Sequence, residues 1–108
     1  MPVDSALFDK IADAELKALD KALEDSDPDE VEIDTSPGVL TLTLAGGEKI
    51  IINSHRAAGE IWMAAFRSAW HFAPHEENGA WVWRTAKDEL RATLGGLLTQ
   101  KLGRTVAL

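Results

Sequence analysis

Residues 38–53 read GVLTLTLAGGEKIIIN, and this stretch decides the fold. Leu40, Leu42 and Leu44 alternate with Thr41 and Thr43, which is the period of a strand with one apolar and one polar face. Gly46-Gly47 follows as a hairpin turn signal. Lys49 to Asn53, rich in Ile, then forms the returning strand. Two strands joined by so short a turn must pair antiparallel.

The pattern continues on both sides. Glu60 to Ala65, Trp70 to Ala73 and Trp81 to Arg84 read as further strands, the last of them after the loop His75-Glu-Glu-Asn-Gly79. Upstream, Val31 and Ile33 alternate with Glu32 and Asp34, and Ser36-Pro-Gly38 makes a turn. The strands are bracketed by helices. Over Ser5 to Asp25, Phe8, Ile11, Ala12, Leu19, Ala22 and Leu23 fall on one side at 100° per residue. Asp9, Asp13, Asp20 and Glu24 run beside that face, and Lys10, Lys17 and Lys21 lie behind them. Glu15 points near the middle of the apolar face, so it must snorkel out or pair. Pro28, within Asp25-Ser-Asp-Pro-Asp29, breaks the helix.

At the other end Thr85 is the expected N-cap, with Asp88 three residues on. Leu90, Leu94, Leu97 and Leu98 give the apolar stripe. Gly95-Gly96 inside it should cost about 1 kcal/mol each relative to Ala. That signals either a close packing contact or a local break. Val106 and Leu108 can tuck back onto the core. The whole reads as one α+β domain over residues 1–108. It is a two-layer α/β sandwich, with two helices packed on one face of a mainly antiparallel sheet of about six strands. The other face of the sheet stays open to solvent.

Charge is distributed very unevenly. Twelve of the eighteen carboxylates precede Thr35, against three lysines, so residues 1–34 carry −9 while the remainder carries +2. Such acidity argues against nucleic-acid binding, which needs a basic footprint. With no cysteine there is no disulfide, thiolate nucleophile or Cys-held metal. Met1 to Phe8 has neither a basic n-region nor an apolar h-region, so no secretory signal is expected. No apolar run approaches the ~20 residues of a bilayer span. The expectation is a cytoplasmic protein with no membrane association.

Two groups of residues could carry function. The acids of the first helix, its connection to the sheet and the first strand form a ridge of hard oxygen ligands. These suit Mg²⁺, Ca²⁺, Mn²⁺ or ferric iron, although a charge run is more often a solvated face. Asp25-x-Asp27-x-Asp29 begins like a calcium loop but has Glu30 where glycine is required and Ser36 where a bidentate Glu belongs, so it is not one. His55, His71 and His75 lack metal-ligand spacing, and His71 should face away from Trp70 and Phe72. No nucleophile–base pair or phosphate loop is present. The second group centres on Trp62. If Ile61 and Met63 face the core, Trp62 faces outward, where an indole is a typical interface anchor. The alternative packs it inward with Ala64 and Phe66. Trp81 and Trp83 suit the core or its rim.

Taken together, Gly38-Val-Leu-Thr-Leu-Thr-Leu44, Ile50-Ile-Ile-Asn53, Ile61-Trp-Met-Ala64, Trp70-His-Phe72, Trp81-Val82 and the acidic first helix and strand resemble the bacterial frataxins, the CyaY family of iron–sulfur cluster assembly. The resemblance runs from Phe8 to about Leu102. It implies a helix–strands–helix sandwich that binds ferrous and ferric iron weakly on a surface ridge, here Asp20, Glu24, Asp25, Asp27, Asp29, Glu30, Glu32 and Asp34. It implies contact with a cysteine desulfurase and its scaffold protein, with Asn53, His55 and Trp62 on the partner-binding sheet. His55 stands where the family usually has Gln, and Trp70 where Tyr is common. An iron-binding regulator of cluster assembly is the leading expectation. It would be a monomer, with iron-dependent oligomers an open alternative, and not an enzyme. An acidic interaction module with incidental metal binding and a weak ferroxidase are the competing readings.

Overall fold

The computed structural model describes residues 4–108. Asp4 opens the first helix: its carboxylate accepts the Leu7 N–H at 2.8 Å and caps α1 (Ser5–Leu23). The helix buries Phe8, Ile11, Ala12, Glu15, Leu16, Leu19 and Leu23. It stops at Leu23, short of the expected Asp25. Ala22 is exposed despite its helical phase, because in the last turn only Leu23 is covered.

Six strands follow: β1 (Val31–Ser36), β2 (Val39–Leu44), β3 (Lys49–His55), β4 (Glu60–Ala65), β5 (Ser68–Glu77) and β6 (Ala80–Arg84). They pair in chain order, β1-β2-β3-β4-β5-β6, and every pairing is antiparallel. The alternation read in the sequence sets the register. Leu42 lies opposite Ile50, which lies opposite Ala65; Leu40, Ile52, Met63 and Trp70 form the next row. These side chains, with Ile61, Phe72 and Trp83, make the covered face of the sheet. Burying each large apolar side chain is worth roughly 1.5–3 kcal/mol. A one-residue slip would turn the whole set outward, so the register is strongly specified.

Two hairpin turns depart from expectation. Phe66-Arg67 joins β4 to β5 with φ of 51° and 86°, both in the left-handed region that ordinary side chains disfavour. Nothing in that dipeptide announces a tight turn, and it lies under the Lys101 ammonium, 4.7 Å from the Phe66 ring centre. Asn78-Gly79, with φ of 53° and 80°, joins β5 to β6. The segment read as a loop from His75 is therefore a strand extension ending in a two-residue turn.

The second helix, α2 (Leu90–Leu102), starts later than the Thr85 signal suggests. Glu89 is the N-cap, accepting the Arg91 and Ala92 N–H groups at 3.0 and 3.1 Å. The Thr85 hydroxyl instead accepts the Lys87 and Asp88 N–H groups, shaping the turn before the helix. Gly95-Gly96 does not break α2. A Cβ on Gly95 would sit 2.9 Å from the Val106 carbonyl oxygen, whereas one on Gly96 would meet nothing within 4 Å. The C-terminal segment crosses Gly95 and is pinned there by the Val106 N–H, which donates to Thr99 Oγ1 at 2.9 Å. Leu90, Leu94 and Leu98 complete the core between the layers. Glu15, the anomalous acid of α1, accepts two hydrogen bonds from the Arg91 guanidinium of α2.

Candidate functional site

The fold puts the acids on one rim. α1 delivers Asp20 and Glu24, the connection delivers Asp25, Asp27, Asp29 and Glu30, and β1 delivers Glu32 and Asp34 on the sheet's outer edge. Glu24, Asp25, Asp27, Asp29, Glu32 and Asp34 are exposed, while Asp20 and Glu30 are half-buried. Two of the eight are engaged. Asp27 Oδ1 accepts the Asp29 N–H at 2.9 Å and shapes the connection. Glu30 is paired with Arg104 of the C-terminal segment at 3.0 Å. None of the other six is paired with a basic side chain among the described residues. The remaining acids of the α1 stripe differ: Asp13 pairs with Lys17 at 3.0 Å, and Asp9 faces Arg56 at 3.4 Å.

All the ridge donors are carboxylate oxygens, the chemistry that hard cations take. Among the described residues, however, no three His, Cys, Asp or Glu side chains converge in a way that could hold a metal. Asp20 is set apart from the connection acids, lining a cleft of about 350 Å³ between α1 and the β1–β2 turn with Asp13, Lys17 and Pro37. The ridge can therefore attract a cation along its length, but each contact would leave most of the coordination shell to water.

The open sheet face is organised around Trp62. Asn53 lies opposite it on β3 and His71 on β5. As the alternation predicts, Ile61 and Met63 are buried and Trp62 points outward. The sequence did not signal that His55 and His71 stack on the two faces of the indole. Their ring centres lie 3.8 and 4.2 Å from it, at interplanar angles of 11° and 10°. The register pairs that place Asn53 and His71 beside Trp62, and His55 beside Glu60, could have revealed it once the strands were aligned. The Trp62 Nε1–H donates to Glu60 Oε1 at 3.0 Å. Next to the stack is a shallow hollow of about 160 Å³ floored by Ala64 and Ala69 and walled by Ile51, Trp62 and His71. Ile51 is the one exposed large apolar side chain among the described residues, at 40% exposure. Asn53 Oδ1 and His55 Nδ1 are buried without hydrogen-bond partners among the described residues.

Comparison with known proteins agrees with this architecture. The frataxin-like domain model matches residues 1–104. A protein of Dechloromonas aromatica named iron-sulfur cluster assembly protein CyaY is 37% identical over 109 residues, covering 98% of this chain and 99% of that one. A protein of the same name from Ralstonia pickettii is 33% identical over 110 residues, covering 99% and 96%. Among solved structures, the frataxin of Psychromonas ingrahamii superposes with a TM-score of 0.81 at 24% identity, covering 97% of both chains. Trimeric frataxin from Saccharomyces cerevisiae, complexed with ferrous, gives 0.63 at 23% identity over 96% of this chain and 90% of that one. The two structures speak to the fold, and the family model and curated relatives to descent: this chain belongs to the frataxin-like family, among relatives named as CyaY proteins of iron–sulfur cluster assembly.

Proposed function

We propose that the protein regulates, or supplies iron to, iron–sulfur cluster assembly by binding the cysteine desulfurase and its scaffold protein. Iron, ferrous or ferric, is its cargo and is held weakly along Asp20, Glu24, Asp25, Asp27, Asp29, Glu30, Glu32 and Asp34. The open sheet around Asn53, His55 and Trp62 meets the scaffold. The protein acts by binding and has no catalytic role of its own. The observation that carries this reading is the ridge itself: among the described residues, seven of its eight acids lie on one rim with no basic side-chain partner. Unpaired like charges repel one another, and a cation or a basic patch on a partner relieves that repulsion.

Among the described residues no three ligands converge, which favours a second reading, in which the acids serve mainly to dock a basic partner and iron is incidental. One experiment separates the two. An anaerobic Fe²⁺ titration is followed by ¹⁵N NMR and repeated with Fe³⁺ and Mg²⁺. Iron-selective shifts confined to residues 20–34 support cargo binding. An equal response to Mg²⁺ supports docking alone. Oxygen uptake with Fe²⁺ no faster than in buffer is the result expected of a protein that is not a ferroxidase.

A further inference from the structure

An exposed indole ordinarily offers its faces to a partner, but both faces of Trp62 are already covered. The His55 ring lies at 3.8 Å on one side and the His71 ring at 4.2 Å on the other, each nearly parallel to the indole. We propose that these two histidines are positioning residues forming a proton-operated clamp on Trp62, in which His55 is the jaw a docking scaffold protein displaces and His71 is the jaw that stays. The proposal rests on the reading above that the open sheet meets the scaffold.

The jaws are unequal. His71 sits beside Glu60, with Nδ1 4.0 Å from the Oε1 that also accepts the Trp62 Nε1–H. That distance is too long for a hydrogen bond, but it lies within ion-pair range once His71 carries a proton. His55 has no such anchor: its Nδ1 is buried without a partner, and the residue ends β3 at the Arg56–Gly59 turn. Removing His55 from the stack therefore breaks no side-chain hydrogen bond and frees one whole face of the indole.

Imidazole is the side chain whose charge changes between pH 5 and 8. A neutral ring on an indole is held by dispersion and burial. An imidazolium adds attraction to the negative face of the ring, for which Trp is the best acceptor. The other charges nearby are already committed. Arg56 faces Asp9 at 3.4 Å, and Arg84, two strands from Trp62, is held by Glu77 at 2.6 Å. The outward neighbours of the histidines along their own strands, Ile51, Asn53, Ala69 and Ala73, do not titrate, and Lys49 lies beyond them. Glu60 is thus the charged group in contact with the stack, and protonation turns this patch from net negative to net positive while closing both jaws.

The test measures binding of the full chain to the purified scaffold protein at pH 8.0 and pH 5.5, alongside His55→Gln, His71→Gln and Trp62→Ala. The expected result for the native chain is binding roughly three- to fivefold weaker at pH 5.5, the size of one exposed cation–π contact. His55→Gln should bind more tightly than the native chain at both pH values and lose most of the pH dependence, whereas His71→Gln should keep it. Histidine ring NMR supplies a readout free of the partner. The Cε1–H signals of His55 and His71 should lie upfield through the indole ring current and move to ordinary positions in Trp62→Ala. Unshifted signals in the native chain overturn the clamp. So does binding that is indifferent both to pH and to His55→Gln, or weakened by His55→Gln. No scaffold binding at either pH, with the ring-current shifts present, overturns instead the reading that this sheet meets the scaffold, and with it the clamp's part in docking.

Discussion

Arg91 grips Glu15 with two hydrogen bonds, Nη2 to Oε1 at 2.7 Å and Nε to Oε2 at 2.9 Å, across 76 positions of sequence. The carboxylate is 7% exposed and the guanidinium 43%. The pairing raises the affinity of Arg91 for its proton, chiefly through the hydrogen bond to Glu15 and against the penalty of burial. It resolves the awkward acid on the apolar face of α1, and it ties the two helices to each other over the sheet.

The unequal exposure sets an order of damage. Arg91→Met strands a buried carboxylate and should cost about 2–4 kcal/mol. Glu15→Leu leaves a guanidinium that can swing into water and should cost about 1 kcal/mol or less. The double replacement should lie close to the native chain, because a well-packed apolar pair often matches a buried ion pair. Urea denaturation midpoints across this double-mutant cycle check the order, and equal losses for the two single changes would contradict it.

The adjacent glycines of α2 should respond in opposite directions. Gly96→Ala meets open space and should gain about 0.5–1 kcal/mol from helix propensity. Gly95→Ala should be destabilising despite the same propensity gain, because its methyl would meet the Val106 backbone oxygen at 2.9 Å. Deleting residues 104–108 should reverse the sign for Gly95→Ala. Thermal melts of the single changes in both backgrounds decide the point.

Arg67→Gly should stabilise the β4–β5 turn by about 0.5–1 kcal/mol, since glycine adopts φ near 86° without the Cβ clash. Phe66→Asn should gain less, because it also removes the ring beneath Lys101. Chemical denaturation of each variant is sufficient.

Two surface pairs predict the acid limb of the stability curve. Glu48 is held below the ordinary glutamate value, first by its hydrogen bond from Lys101 and then by the charge of that lysine. Glu77 is held low first by its hydrogen bond from Arg84. A carboxylate with a lower value in the folded chain than in the unfolded one contributes stability above the unfolded value. That contribution is lost as pH falls through the folded value. Stability should therefore decline as pH drops below the ordinary carboxylate range, and Glu48→Gln with Glu77→Gln should flatten the decline. Both pairs are well exposed, so added salt should shrink the difference.

Asp25→Asn, Asp29→Asn and Asp34→Asn together should raise the melting temperature at low ionic strength, by relieving repulsion among unpaired acids. The gain should fade as salt screens the charges. Asp27 is left out of this set because its carboxylate holds the Asp29 N–H. No change at low salt would mean that the ridge is not under electrostatic strain.

What was legible in the sequence was whatever periodicity encodes. The Leu40-Leu42-Leu44 alternation led to the sheet and its register, and Ile61-Trp62-Met63 to an outward indole. What escaped was fixed by contacts between distant segments. The Thr85 hydroxyl made a sound cap in isolation, yet Glu89 is where α2 turns onto the sheet. Phe66-Arg67 adopts a conformation that local preference opposes, and the pairing of β4 with β5 overrides it. Gly95 looked like a weakness until Val106 was seen crossing it. The ridge acids were legible as residues and as a rim. The histidine stack was not, because it joins three strands and depends on ring orientation.

The position of β1 at the margin of the sheet has a consequence for how copies of the chain meet. β1 pairs on one side only, with β2, and its free flank is the kind of unpaired backbone on which another molecule's strand can build. Glu32 and Asp34 stand on that strand with the rest of the acidic rim close by. Two molecules approaching margin to margin would press like charges together before any backbone bond could form. The rim should thus oppose self-association, and light scattering should show more of it when a cation, acid or high salt neutralises these charges.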